Sequence, residues 1–275
     1  MGIFEEIIGM FSYSFMVRAI IVGGLVALCA SLLGVVLVLK RYSMIGDGLS
    51  HVGFGAMAVG LAFNQAPLAV AIPVVVIAAF LLLRVSENSK IKGDAAIGLI
   101  SSSALAIGMV VNASSSGTNI DLNSYMFGSI LAIDKSEMVL CIVLGVVVIG
   151  AFAYFYNPIF AITFDENFAR ATGLKVEVYK TILSVLTAVT IVIGMRIMGT
   201  LLISSLIIFP ALSAMRVTHR FRQVMIMSVI ISMFCFFTGL VASYLLELPT
   251  GATIVVSNLC VFVVMTIVGY FRKKA

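Results

Sequence analysis

Long apolar runs alternate with short polar turns along the chain. Nine runs have the length needed to cross a bilayer: Phe15 to Leu39, Met44 to Phe63, Pro67 to Leu83, Ala95 to Val111, Met138 to Phe155, Tyr179 to Met195, Thr200 to Met215, Gln223 to Leu246 and Ala252 to Tyr270. A spanning helix needs about 20 predominantly apolar residues, and in lipid a helix keeps all its backbone hydrogen bonds within one segment. The pattern therefore predicts an all-α polytopic membrane protein of about 8–9 transmembrane helices. The weaker runs are open to being broken or re-entrant. The first continues to Lys40-Arg41 without a small-residue cleavage site, so it reads as a retained span instead of a signal peptide.

Residues 1–275 read as a single membrane domain whose two longest polar interruptions differ in character. The first, about residues 112–136, is rich in Ser, Asn and Gly. Its apolar patch from Tyr125 to Ile133 predicts a short surface or re-entrant helix. The second, about residues 157–180, opens with Asn157-Pro158, read as a helix break. Thr163 or Asp165 can then serve as an N-cap and Gly173 as a C-cap. Phe164, Phe168, Ala171 and Leu174 recur at helical spacing. This short helix is either a solvated connector or a docking knob for a partner.

The basic residues orient the bundle, because Lys and Arg are retained on the cytoplasmic side. With the N-terminus outside, all of the 17 Lys and Arg except Arg18, Lys135 and Arg196 fall inside. That bias predicts an odd number of spans and a cytoplasmic C-terminus. It makes residues 112–136 the extracytoplasmic loop and residues 157–180 cytoplasmic.

Composition removes whole classes of function. The chain is 62% hydrophobic and 11% charged, with a mean hydropathy of +1.21, which a water-soluble domain of this size would not carry. The net charge of +5 is loop chemistry and calls for no nucleic acid. Cys29, Cys141, Cys235 and Cys260 lie singly in apolar runs, without CxxC spacing, and read as small buried hydrophobes. The 15 methionines form no soft-metal cluster. A phosphate loop and an HExxH motif are both missing, so the chain contains neither a P-loop ATPase nor the commonest membrane zinc protease.

One stretch breaks the apolar pattern: KRYSMIGDGLSHVGFGAMAVG, residues 40–60. A carboxylate at the bilayer centre costs about 2.5–3.5 kcal/mol on insertion scales, which makes Asp47 a functional candidate. Asp47 also follows Arg41 by only six residues, about 9 Å of helix, so snorkelling to the interface is an alternative. Its companion is His51, one helical turn on, with Cβ atoms about 5–6 Å apart. A carboxylate and an imidazole at that spacing can share one ion at about 2 Å each, and the pair suits zinc, manganese or iron. Two donors do not fill a four-coordinate site. Either other segments contribute, or a second copy supplies another Asp and His. A histidine ligates only as neutral imidazole, so acid should lower any transport that uses it. Gly46, Gly48, Gly53, Gly55 and Gly60 allow close packing or an unwound helix. His219, among Arg216, Arg220 and Arg222, reads as an interfacial anchor. Arg196 and Glu247 fit interfacial anchoring or an outer gate.

These residues resemble a known family, the membrane permeases of ATP-binding-cassette importers for zinc, manganese and iron. KRYSMIGDGLSHVGFGAMAVG is similar to its early signature. GLKVEVYKTILSVLTAVTIVIGMRIMGTLLISSLIIFPALSAMRVTHRFRQ is similar to its later core, including Met-Gly-x-Leu-Leu and Pro210-Ala211. LELPTGATIVV resembles the loop before its last span. The likeness runs from about Arg18 to the end of the chain. It implies a permease in a bacterial-type plasma (inner) membrane, acting as a homodimer above two cytoplasmic ATPase subunits that use the ATP. An extracytoplasmic binding protein would deliver the metal, and the permease itself would be a transport subunit with no bound cofactor. It implies that Asp47 and His51 line the cation path. It also implies that the short inner helix docks on the ATPase, with Glu166, Ala169 and Gly173 in ExxAxxxG order and Asp165 and Phe168 beside them. Gly48 and Gly53-Phe54-Gly55 depart from common members. The Gly-Asp-x-Leu-Ser-His form resembles zinc permeases more than manganese ones. A gradient-driven metal carrier and a metal-binding membrane sensor are the rival readings. The scarcity of intramembrane acids besides Asp47 argues against the carrier.

Overall fold

The computed structural model describes residues 12–88, 93–114 and 134–274, together with Gly9 and Gly128. Within them the chain forms eleven helices: α1 (Ser14–Leu39), α2 (Ile45–Ala62), α3 (Pro67–Asn88), α4 (Gly93–Ser114), α5 (Lys135–Tyr154), α6 (Tyr156–Phe164), α7 (Glu166–Ala171), α8 (Val176–Met198), α9 (Thr200–Val217), α10 (Phe221–Leu246) and α11 (Thr250–Lys274). Seven of these, α1, α4, α5 and α8 to α11, are long and apolar enough to cross a membrane. Among the residues with described side chains, α3 contributes a shorter apolar helix, Pro67–Leu82. In α2 the apolar residues are diluted by Asp47, Ser50, His51 and five glycines within 18 residues. The expected spans thus recur as helices, and the fold is an all-α membrane bundle.

α1 is the axis, packed against α5, α8, α9 and α10. It is buried on nearly every side, as an apolar helix without a polar face must be. α4, α5 and α11 form the periphery, with rows of exposed Leu, Ile and Val. α2 lies between α3 and α4 and also touches α8 and α9. Its glycines serve packing, since α2 is a continuous helix. A Cβ on Gly55 would stand 2.6 Å from the Ala104 carbonyl oxygen, and one on Gly108 would stand 2.8 Å from the Gly55 Cα. Without a hydrophobic force between helices in lipid, such close backbone contact is what holds α2 to α4. α10 is tied to α1 by Ser232, whose hydroxyl donates to the Ala27 carbonyl at 2.9 Å.

Two expectations are corrected. Asn157-Pro158 does not break a helix: the interruption falls at Phe155, and Pro158 sits in the first turn of α6, where its missing N–H costs no helical bond. The segment over residues 157–180 is also not one helix from Thr163 to Gly173: Asp165 is extended (φ −147°, ψ 99°), ends α6 and starts α7. The patch from Tyr125 to Ile133 lies outside the described residues, apart from Gly128, as do Lys90 and Lys92.

Candidate functional site

Asp47 is the third residue of α2 and His51 the seventh, so the helix itself brings them to one face. His51 Nε2 stands 3.7 Å from Asp47 Oδ2. That is too long for a hydrogen bond. It is close to the roughly 3.3 Å that separates two donors bound at about 2 Å to one tetrahedral ion. Both side chains are partly exposed, with the Asp47 carboxylate the more open of the two. His51 Nδ1, by contrast, is buried and has no hydrogen-bond partner. A core histidine normally satisfies both ring nitrogens, and an orphaned buried polar atom costs about 1–3 kcal/mol. His51 therefore differs from a satisfied core histidine, and it stands beside a carboxylate without bonding to it. Among the described residues no group of three or more His, Cys, Asp or Glu side chains converges, at this pair or elsewhere.

The floor under this pair is built from glycine. A Cβ on Gly48 would meet Ile97 Cγ2 at 2.6 Å, and one on Gly53 would run into the end of the Met195 side chain. α2 is thereby pressed onto α4 and α8 on both sides of His51.

The short helix α7 was legible in outline. Asp165 is its N-cap, its Oδ1 accepting from the Phe168 N–H at 2.9 Å. Gly173, at φ +85°, follows the Thr172 C-cap in the left-handed conformation that glycine adopts without strain. Ala169 is buried against Ile162 and Val176 and anchors α7 to its flanking helices. Phe164 and Phe168 are both exposed, Phe168 over 63% of its surface; Phe164 packs on Phe160 and edge-on to Phe221.

Sequence reasoning missed what holds this helix. Glu166 accepts from Lys180 Nζ at 2.8 Å, and it pairs with Lys40 at 3.5 Å and Arg170 at 3.4 Å. Lys40 caps α1 just before the turn into α2, and Lys180 belongs to α8. One carboxylate therefore ties α7 to the base of the helix pair that carries Asp47. Partial burial by itself would raise the Glu166 carboxyl, but the hydrogen bonds and charges of Lys180 and Lys40 outweigh it and hold the group below its ordinary value. Arg170 also bonds Glu177 at 2.6 Å. The sequence carries no signal for Lys40, which lies far from Glu166 along the chain. At the other end of the bundle Arg196 pairs with Glu137 at 2.6 Å, so the exposed arginine expected there as an anchor or gate closes α8 onto the start of α5. Glu247 ends α10 in a left-handed turn (φ 53°).

An all-helical bundle with seven helices long and apolar enough to cross a membrane defines an integral membrane protein. The chain matches the ABC 3 transport family over residues 12–269, and it belongs to that family. It is a permease subunit, not an enzyme. It is 27% identical over 245 residues to the high-affinity zinc uptake system membrane protein of Haemophilus influenzae, covering 89% of this chain and 94% of that one. It is 29% identical over 271 residues to the manganese import system permease protein of Streptococcus parasanguinis, covering 98% and 96%. Among solved structures, PsaBC from Streptococcus pneumoniae in complex with Fab superposes with a TM-score of 0.85 at 28% identity, over 96% of this chain and 95% of that one.

Proposed function

We propose that the chain is the transmembrane permease of an ATP-driven importer of divalent transition-metal cations, with zinc as its cargo. The carrying observation is the Asp47–His51 pair, with its 3.7 Å donor separation and the orphaned His51 Nδ1. Relatives named for zinc and for manganese transport support the class of cargo. Two copies facing each other across a twofold axis would supply two carboxylates and two imidazoles. That four-donor set suits tetrahedral zinc, whereas manganese favours more oxygen ligands; manganese or iron is the alternative cargo of the same machinery.

In this reading the chain is one permease domain with its N-terminus outside and its C-terminus in the cytoplasm of a bacterial-type cell. An extracytoplasmic protein hands over the ion, and separate ATPase subunits hydrolyse ATP. Asp47 and His51 hold the dehydrated cation briefly, tightly enough to admit it and weakly enough to release it. Asp165 and Gly173 shape the docking helix, Ala169 seats it, Phe168 projects to the ATPase, and Glu166 passes the motion to α1 and α8.

The test is ATP-driven uptake of zinc and manganese into vesicles carrying the whole assembly, for the unaltered permease, Asp47→Ala and His51→Ala. Loss of uptake in both variants, with assembly and ATP hydrolysis retained, is expected. Normal transport by both variants would remove the pair from the path, and faster manganese than zinc uptake would overturn the choice of cargo.

A further inference from the structure

A cavity of about 620 Å³ opens between the last turns of α9 and α11 and the start of α10. Arg216, His219, Arg220 and Arg272 line it, and among the described residues no carboxylate pairs with any of the three arginines. They are placed by other means. Arg272 donates to the Val217 carbonyl at 3.0 Å, and the Arg216 guanidinium lies over the Phe262 ring at 5.8 Å. At the back of the cavity α9 and α11 touch, since a Cβ on Gly269 would stand 2.6 Å from the Arg216 carbonyl oxygen. The N-cap Arg220 and first-turn Gln223 of α10 line the opening, and no side chain caps that positive helix end. Positive charge converges here without a counter-charge among the described residues.

A second feature adjoins it. A groove of about 410 Å³ runs up between α10 and α11, lined by Ile230, Phe234, Val261 and Val264, and it shares Met227 with the wall of the basic cavity. Its lining is apolar throughout, and Ile230, Phe234 and Val264 are each more than half exposed. A free phosphate would satisfy the arginines and leave the groove bare. A molecule with an anionic phosphate at one end and a hydrocarbon chain at the other satisfies both, and the surrounding bilayer consists of such molecules.

We propose that this site binds one anionic phospholipid, its phosphate among Arg216, Arg220 and Arg272 and one acyl chain along α10 and α11. The bound lipid bridges three helices of the bundle. The site is separate from the cation path and independent of the cargo.

Purified full-length chain in neutral detergent is titrated with phosphatidylglycerol, phosphatidylcholine and glycerol phosphate, and retained ligand is counted by native mass spectrometry. Phosphatidylglycerol should bind at one site, well ahead of phosphatidylcholine, and glycerol phosphate should not be retained. Each basic side chain near an anionic headgroup contributes about fivefold, so Arg220→Gln should weaken phosphatidylglycerol binding about fivefold and the Arg220→Gln/Arg272→Gln pair about 25-fold. Arg222→Gln removes the same charge from the same turn outside the cavity and should leave binding within twofold. Should Arg272→Gln unfold the chain through the lost Val217 bond, Arg220→Gln alone decides. Unchanged binding in Arg220→Gln, an equal loss in Arg222→Gln, or glycerol phosphate bound as tightly as the lipid would each overturn the proposal.

Discussion

Glu166→Gln removes one carboxylate and keeps the shape of the side chain, so it isolates the tie between α7 and the two long helices beside it. Of the three cations around Glu166, Arg170 keeps Glu177 at 2.6 Å, which leaves Lys180 at 2.8 Å and Lys40 at 3.5 Å as the contacts that count. The lysine side chains are only 10% and 14% exposed, whereas the glutamate is 30% exposed. Hydrogen bonds to charged groups contribute about 1.5–3 kcal/mol, and exposed ion pairs about 0.2–1 kcal/mol. A partly screened pair falls between these ranges, at about 1 kcal/mol, or about fivefold in a local opening equilibrium. The assay is hydrogen exchange of the peptide over residues 165–174, whose amides include the Ala169 N–H bonded to the Asp165 carbonyl. Protection should fall about fivefold in Glu166→Gln. Glu177→Gln is the comparison: its carboxylate is 72% exposed, so the change should stay below about twofold. Equal effects of the two substitutions, or none from Glu166→Gln, would refute the assignment of Glu166 as the tie.

The same carboxylate sets a pH dependence. Its folded value lies below the ordinary 4.5, so its stabilisation is complete above pH 4.5 and is lost as the pH falls through the lower folded value. Protection of α7, corrected for intrinsic exchange, should therefore be flat from neutrality to about pH 5 and drop below 4.5 in the unaltered chain, while Glu166→Gln shows no such drop. Asp165→Ala removes the α7 cap and should cost about 1 kcal/mol of local stability, read in the same peptide. Gly55→Ala puts a methyl group against the Ala104 carbonyl at 2.6 Å and should destabilise the bundle by about 1–3 kcal/mol in thermal unfolding in detergent. Gly24→Ala meets only the flexible end of Met233 at 3.4 Å and should unfold at nearly the unaltered temperature.

The sequence by itself determined the features that depend on neighbours along the chain. Apolar runs long enough to span lipid had to become helices, because no other open segment satisfies its backbone there. Asp47 and His51 had to share a face once α2 formed, since four residues are about one turn, and the cap of the short helix was narrowed to Thr163 or Asp165, of which the structure selects Asp165. The break at Phe155 was misplaced to Asn157-Pro158 because a proline in a first helical turn and a proline that ends a helix look alike in sequence. Only the tertiary structure decided contacts between residues far apart in the chain. It set Glu166 between Lys40 and Lys180, Arg196 on Glu137, and the backbone of Gly55 against Ala104. It also decided that Arg216, Arg220 and Arg272 meet at one cavity instead of lying on separate turns. Such meetings depend on which helices are neighbours and at what rotation, and in lipid that is chosen by close packing of small residues and a few polar contacts, which leave little periodic trace in the chain.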